Sequence, residues 1–479
     1  MSDGSRFLFV HRYLTMRLRV RKDFQVLRPT WFAAWSILFL AWSALQGSIA
    51  HAEVVSTDTL SSPQQVGDSL EWINKEDAKL LEAAIAAFQA GDRAEFSSQY
   101  KAALEKSDRL PALEIFLTKL LIESSKVSDA LQTVEVYLRE HAEDSEAYIA
   151  LGEIAMRSGR WTDAWLSLSH ADRLIKDKKL KSSRLTYIVP VLVEMQASVA
   201  EQRQLWDEAE ELYKRLGTLM PEKSYPLWRQ GRVRLQRGRT AEGIQMMATA
   251  RKQTADLPSP ELTAALFFAE KSDATQAEEW FRAAIRKETN DPVRWHEYLK
   301  WLLIRERASD AAGLFAKMPS EAKSARNVRV IEGLVARFQG DLGKAELIFS
   351  ELTQADTNDA EAADQLVLVL IESADEGKRG RALQLSELNL RRANSIQNVI
   401  ATAAWVQFKL GAVDVADRLL GQLAEQAALQ PQTAYYVARV LEAKGQSEDA
   451  KKVLKAAVDT PGIFVERAKA RQELKSSKP

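Results

Sequence analysis

The chain has 479 residues, 46% hydrophobic and 28% charged, a balance that provides a core to bury and enough charge for solubility, and so excludes general disorder. Lys plus Arg and Asp plus Glu both number 66, but seven of the bases and only two of the acids fall in residues 1–52, leaving a mildly acidic remainder unlike a general nucleic-acid binder. Cysteine is absent, which removes disulfides, thiolate nucleophiles, Cys-ligated zinc and a lipoprotein anchor.

At the N-terminus, Arg17, Arg19, Arg21, Lys22 and Arg28 precede the apolar run WFAAWSILFLAWSAL, from Trp31 to Leu45. Small residues follow, and Ala50 and Ala52 flank His51 in an A-x-A arrangement, which predicts a signal peptide over residues 1–52 cleaved after Ala52. Extended to Ala50, the same run is long enough to cross a bilayer, so an uncleaved membrane anchor through residues 31–50 is the alternative. Met16 is a second candidate start. Either way residues 53–479 are expected outside the cytoplasm, in the periplasm or cell envelope.

Residues 53–70, EVVSTDTLSSPQQVGDSL, read as a flexible tether, and residues 53–76 together as tether and helix start. From about Glu71 onward apolar residues recur with helical spacing, and prolines and glycines gather at turns. Within this region a small residue returns at Ala130, Ala164, Ala209, Gly243, Ala277, Ala311, Ala345, Ala382, Ala416 and Ala450. Successive gaps are 34, 45, 34, 34, 34, 34, 37, 34 and 34, a period that marks stacked supersecondary units.

The segment SEAYIALGEIAMRSGRWTDAWLSLSHADRL shows one unit: Tyr148, Leu151, Gly152 and Ala155 on a first helix, Gly159 at the turn, and Trp161, Ala164, Leu168 and Ala171 on a second. WDEAEELYKRLGTLMP, with Trp206, Ala209, Tyr213 and Pro221, and WHEYLKWLL, with Trp295, Tyr298 and Leu302, carry the same skeleton. This pattern closely resembles the tetratricopeptide repeat. The resemblance implies an all-α fold, an α-solenoid of about eleven helix-turn-helix units in a right-handed superhelix over residues 77–463, with a capping helix and tail over 464–479. Phe96 stands where a small residue is expected, so residues 77–110 read as a divergent first copy.

The two irregular gaps place surplus residues between Lys176 and Arg184 and between Asp375 and Gly380. Both stretches are expected to be solvated loops, with docking of an acidic partner as the alternative.

Among His11, His51, His141, His170 and His296 there is no close ligand set, and Lys300 stands where a second zinc ligand would follow His296 and Glu297. There is no GxxxxGK[ST], and GDLGK near Gly340 falls in a repeat turn. No metal, cofactor or catalytic site is expected, and repeats leave no room for a separate enzyme domain.

The resemblance implies recognition on a concave surface lined by the first helix of each unit. Consensus positions place there Trp228, Arg229 and Arg232; His296, Glu297 and Lys300; and Trp405, Tyr435, Tyr436 and Arg439. Aromatic residues and Arg are the types enriched at binding hot spots, although each aromatic also fits a core position. The Asn positions of a chaperone-type carboxylate clamp hold Glu153, Ser198, Arg232 and Trp405, which argues against that ligand. The expected function is a non-enzymatic scaffold binding protein segments; the alternative is a structural component of a polysaccharide-export or secretion assembly.

Overall fold

A computed structural model describes residues 73, 75–177, 182–393, 396–423 and 429–476. The candidate signal segment, its Ala50–His51–Ala52 site and the tether lie outside the described residues. These residues contain 24 helices and no strand, arranged as consecutive helix pairs. The chain divides into two compact units, one comprising Val54–Trp301 with Ala316–Val328, the other Leu302–Phe315 with Arg329–Pro479.

In the first unit the helices are α1 Lys75–Gln89, α2 Arg93–Leu104, α3 Leu113–Glu123, α4 Val127–Leu138, α5 Ser145–Arg157, α6 Trp161–Lys176, α7 Ser182–Gln202, α8 Trp206–Leu219, α9 Tyr225–Gln236, α10 Thr240–Gln253, α11 Pro260–Glu270 and α12 Ala274–Lys287. Several start at an aspartate whose carboxylate accepts from free backbone N–H groups: Asp92 for α2, Asp144 for α5 and Asp273 for α12. Each such cap contributes about 1 kcal/mol. The recurring small residue is the fourth of the second helix in each regular pair, and Ala130, Ala164, Ala209 and Ala277 are completely buried.

Twelve residues upstream, on the first helix, stand Thr118, Gly152, Ala197, Gly231 and Ala265, also buried. One turn downstream of the small residue a larger one is fully enclosed: Val134, Leu168, Tyr213, Met247 or Phe281. Small residues thus let the paired helices approach, and the larger neighbour fills the space that opens beyond them. The approach is tight in α9 and α10, where a Cβ added to Gly243 would lie 2.5 Å from the Gly231 carbonyl oxygen. In the first pair Phe96 replaces the small residue and is buried, its ring 6.1 Å from Tyr100 and 6.3 Å from Phe116.

α13 Pro292–Ile304 and α14 Ala308–Lys317 run across the division between units, followed by the short α15 Ser320–Ser324. The second unit continues through α16 Arg326–Phe338, α17 Leu342–Ala355, α18 Ala360–Ile371, α19 Glu376–Arg392, α20 Gln397–Lys409, α21 Val413–Gly421, α22 Pro431–Ala443, α23 Ser447–Asp459 and α24 Arg467–Ser476. Ala311, Ala345, Ala382 and Ala416 are completely buried there, and Ala450 nearly so.

The irregular gap at Asp375 corrects the expectation of a loop, and the one near Lys176 falls partly outside the described residues. Asp375 caps α19 by accepting from Lys378 N, so the surplus near Asp375 to Gly380 adds a turn to the start of a helix. Near Lys176, the surplus lengthens helices as well: α6 has 16 residues and α7 has 21, and only 178–181 lie outside the described residues. Arg184, read as part of a basic loop, is instead buried on α7.

The turn within most pairs passes through one left-handed residue, five before the small residue. Glycine occupies it at Gly159 (φ 65°) and Gly340 (φ 75°), where a side chain would be strained. Glu306, between α13 and α14, takes the same conformation at φ 60° without being glycine. Among the described residues no helix is long and apolar enough to cross a membrane.

Candidate partner-binding surface

Successive first helices pack directly on one another within each unit, as α3 on α5, α5 on α7, α18 on α20 and α20 on α22, forming a continuous first-helix layer. In the first unit this layer is crossed by ion pairs. Lys119 on α3 meets Glu153 on α5, and Glu153 is also 3.3 Å from Arg157. Burial alone would raise the Glu153 carboxyl's pKa, but these two cations hold it below its ordinary value. Arg184 Nε donates to Glu146 at 2.9 Å, and Lys287 Nζ donates to Glu261 at 2.5 Å.

The candidates on α9 belong to this structural network. Trp228 is 1% exposed, donates from Nε1 to the Pro258 carbonyl at 3.1 Å and packs with Met247, Ala250 and Leu257. Arg229 donates to the Tyr213 hydroxyl at 2.8 Å and to Glu201 at 2.7 Å. Burial would favour the neutral guanidine, yet Glu201 reverses this and lifts the Arg229 pKa well above its ordinary value. Arg232 is 8% exposed, its guanidinium 5.7 Å from the Trp228 ring centre. The expectation that these three face a partner is therefore corrected: all are buried. α9 has the next first helix on one side and its own second helix on another, so only a thin strip stays open.

His296, Glu297 and Lys300 on α13 remain partly exposed, with His296 Nδ1 3.1 Å from Glu297 Oε1. They form a separate group from the α9 residues.

In the second unit Trp405, Tyr435 and Tyr436 are also buried, but in a cluster with a different partner. Trp405 stacks on Tyr436 with ring centres 4.4 Å apart, and Tyr435 lies 5.4 Å from Phe464, beyond the last helix pair. Residues 461–476 continue across the first-helix layer. Glu466 Oε1 lies 3.6 Å from Arg337 Nη2 on α16, Glu473 Oε2 3.5 Å from Arg439 Nη1 on α22, and Arg471 reaches Glu306 at 2.6 Å. Arg467 fixes the path of the segment by donating to the carbonyls of Val458, Thr460 and Gly462. Trp405, Tyr435 and Tyr436 are enclosed within the chain, a correction to their exposed placement, whereas Arg439 is partly exposed beside the segment.

Beneath this segment sits a buried polar group that the sequence reading missed. Arg337 donates to Gln365 at 2.5 Å, and Asp364 accepts from the Thr402 hydroxyl at 2.9 Å. Burial pushes Asp364 up to about 7, against the pull of Thr402 and Arg337. Burial likewise raises Glu466, with Arg337 opposing. Tyr435 Oη and Glu466 Oε2 are buried with no hydrogen-bond partner among the described residues. One signal was available: Asp364 is an acid separated only by Gln365 from the apolar run LVLVLI of α18. Among the described residues no group of His, Asp and Glu is arranged to hold a metal ion.

The helix pairs, the buried small residue and its period define the fold as that of the tetratricopeptide repeat. No family model and no curated protein matches the sequence. Solved structures with similarity to this chain include yeast Tom70, at 13% identity over 84% of this chain and 95% of that chain with a TM-score of 0.35. A tetratricopeptide repeat protein from Parabacteroides merdae is 17% identical over 62% of this chain and 99% of that one, with a TM-score of 0.29. Human IFIT1 is 13% identical over 86% and 90% respectively, with a TM-score of 0.37. The fold assignment rests on this chain's own geometry.

Proposed function

We propose that this protein is a non-enzymatic scaffold whose first-helix layers hold segments of partner proteins, and that it works in the periplasm or cell envelope. The observation that carries the binding role is the segment 461–476, a length of polypeptide seated across the first-helix layer of the second unit by one aromatic contact and several ion pairs. That layer is suited to a peptide, since it supplies an aromatic anchor and directional charged donors. The export reading rests on the basic stretch, apolar run and A-x-A site of residues 17–52.

The test is site-specific photocrosslinking in intact cells. A crosslinker replacing Arg439 or His296 is expected to capture a defined protein, while one replacing Leu347, a 60% exposed residue on α17, captures none. Mass analysis of the same preparation is expected to find a chain beginning at Glu53. Equal capture from all three positions, or none from either first-helix position, would remove the scaffold reading; an uncleaved cytosolic chain would remove the export reading alone.

A further inference from the structure

Residues 461–476 follow the last helix pair, with α24 packed on α23, and their side chains reach beyond it. Their contacts extend from α22 and α23 back to α16 and to the turn at Glu306. Each contact has a simple chemical form: Phe464 on the Tyr435 ring, Glu466 toward Arg337, Glu473 toward Arg439, and Arg471 on Glu306.

The fit is incomplete where the segment meets the layer. Glu466 is half-buried and sits 3.6 Å from Arg337, too far for a hydrogen bond, and its enclosed Oε2 and Tyr435 Oη have no hydrogen-bond partner among the described residues. A buried polar atom without a partner costs free energy, so these two atoms loosen the segment's hold on the layer. The anchor at its far end is also weak: Glu306 stands in a left-handed turn like those of Ser125, Gln204 and Ser272, and the side chains of Glu306 and Arg471 are both partly exposed, so water screens the pair. A water-screened tie to Arg471, together with under-satisfied contacts inside, describes an occupant that can leave.

We infer that residues 461–476 are an exchangeable self-ligand, and that the surface beneath them docks a partner segment of the same chemistry: an aromatic residue followed two positions later by an acid, with a second acid seven positions beyond. The spacing is that of Phe464, Glu466 and Glu473. Charge complementarity favours this occupant, since the surface offers Arg337 and Arg439 around the aromatic cluster of Trp405, Tyr435 and Tyr436. The inference deepens the scaffold reading and rests on it.

The test uses the full chain and its Arg471→Ala variant, which releases the tethered segment from Glu306 while leaving that carboxylate for an added peptide. The probe is a fluorescent peptide of residues 461–476. It is expected to bind the variant roughly five- to tenfold more tightly than the wild type, as loss of a partly exposed Arg–carboxylate tie would produce. A peptide carrying Phe464→Ala and Glu466→Lys should bind neither protein. In the variant, amide exchange should rise in residues 461–476 and stay unchanged in α18 and α20. Unchanged exchange in 461–476 would overturn the self-ligand, and faster exchange without peptide binding would overturn the docking surface. Should the peptide fail while a crosslinker at His296 still captures a protein, this inference falls and the scaffold reading stands.

Discussion

Arg471 grips Glu306 with both guanidinium nitrogens, Nη1 to Oε2 at 2.7 Å and Nη2 to Oε1 at 2.6 Å, across 165 positions of sequence. The side chains are 46% and 31% exposed, so water screens the pair and its contribution to global stability is small. Arg471→Ala should leave the melting temperature nearly unchanged while raising amide exchange in Arg467–Ser476 about fivefold. If exchange in α24 does not change, the tie does not hold the segment and the self-ligand reading falls.

The seam between α9 and α10 has no space for a methyl group. A Cβ on Gly243 would stand 2.5 Å from the Gly231 carbonyl oxygen and 3.1 Å from Leu235 N, both backbone atoms that cannot turn aside. Gly243→Ala is therefore expected to destabilise by about 1–3 kcal/mol, although alanine is the better helix former. Ala277→Gly, the reverse change one unit later, should cost only about 1 kcal/mol. Thermal melts of both variants decide this, and a Gly243→Ala protein as stable as wild type would contradict the close approach.

Arg229 is the centre of a buried pair with Glu201, and Tyr213 also depends on it. Arg229→Leu should cost about 3–5 kcal/mol because Glu201 is left charged and enclosed, whereas the double change with Glu201→Leu should recover most of that loss. Arg232→Glu, which a surface position would tolerate, should also destabilise the fold by placing an acid against Trp228. Urea unfolding of the two single variants and the double variant measures the coupling directly, and equal losses in the single and double Arg229 variants would show that the charge pair is not the source.

Asp364 gives the second unit a pH dependence of unusual sign. Burial, with Glu361 adding and Thr402 and Arg337 opposing, raises its folded pKa to about 7 from 3.8. The folded state then holds a proton that the unfolded chain releases, so this contribution is fully present below about pH 4 and lost as pH rises through about 7. Glu466 is raised in the same direction. Asp364→Asn keeps an acceptor for Thr402 and should flatten the slope between pH 4 and 7, making the variant the more stable protein at pH 8. Denaturant midpoints at three pH values test it; parallel curves for variant and wild type would exclude Asp364 as the source.

The second helix of each pair was legible because one constraint, the close helix crossing, demands one kind of residue at one position. Ala164, Ala209 and Ala277 are buried for that reason alone. The first helices gave no such signal. α22 buries Thr433, Ala434, Tyr435, Tyr436, Ala438, Val440 and Leu441, too many positions around the helix to leave a distinct outward stripe. Trp228 and Tyr435 consequently looked as suited to a partner as to a core. The surplus at Gly377 and Gly380 read as a loop because glycine is a poor helix former, yet the Asp375 cap and continuation into the packed part of α19 outweigh that preference. The long-range tie at Glu306 left no local trace, since Ser125, Gln204 and Ser272 also replace glycine at this turn and nothing nearby identifies Arg471 as its partner.

An array of like units can ordinarily gain or lose one by duplication or deletion, since each unit touches only its neighbours. The clasp between Glu306 and Arg471 withdraws that freedom from the stretch it encloses. One more 34-residue unit between them would carry Arg471 away from its carboxylate and Glu466 away from Arg337. The contacts of residues 461–476 are therefore matched to one repeat number, and a chain one unit longer or shorter would lose them while keeping its helix pairs.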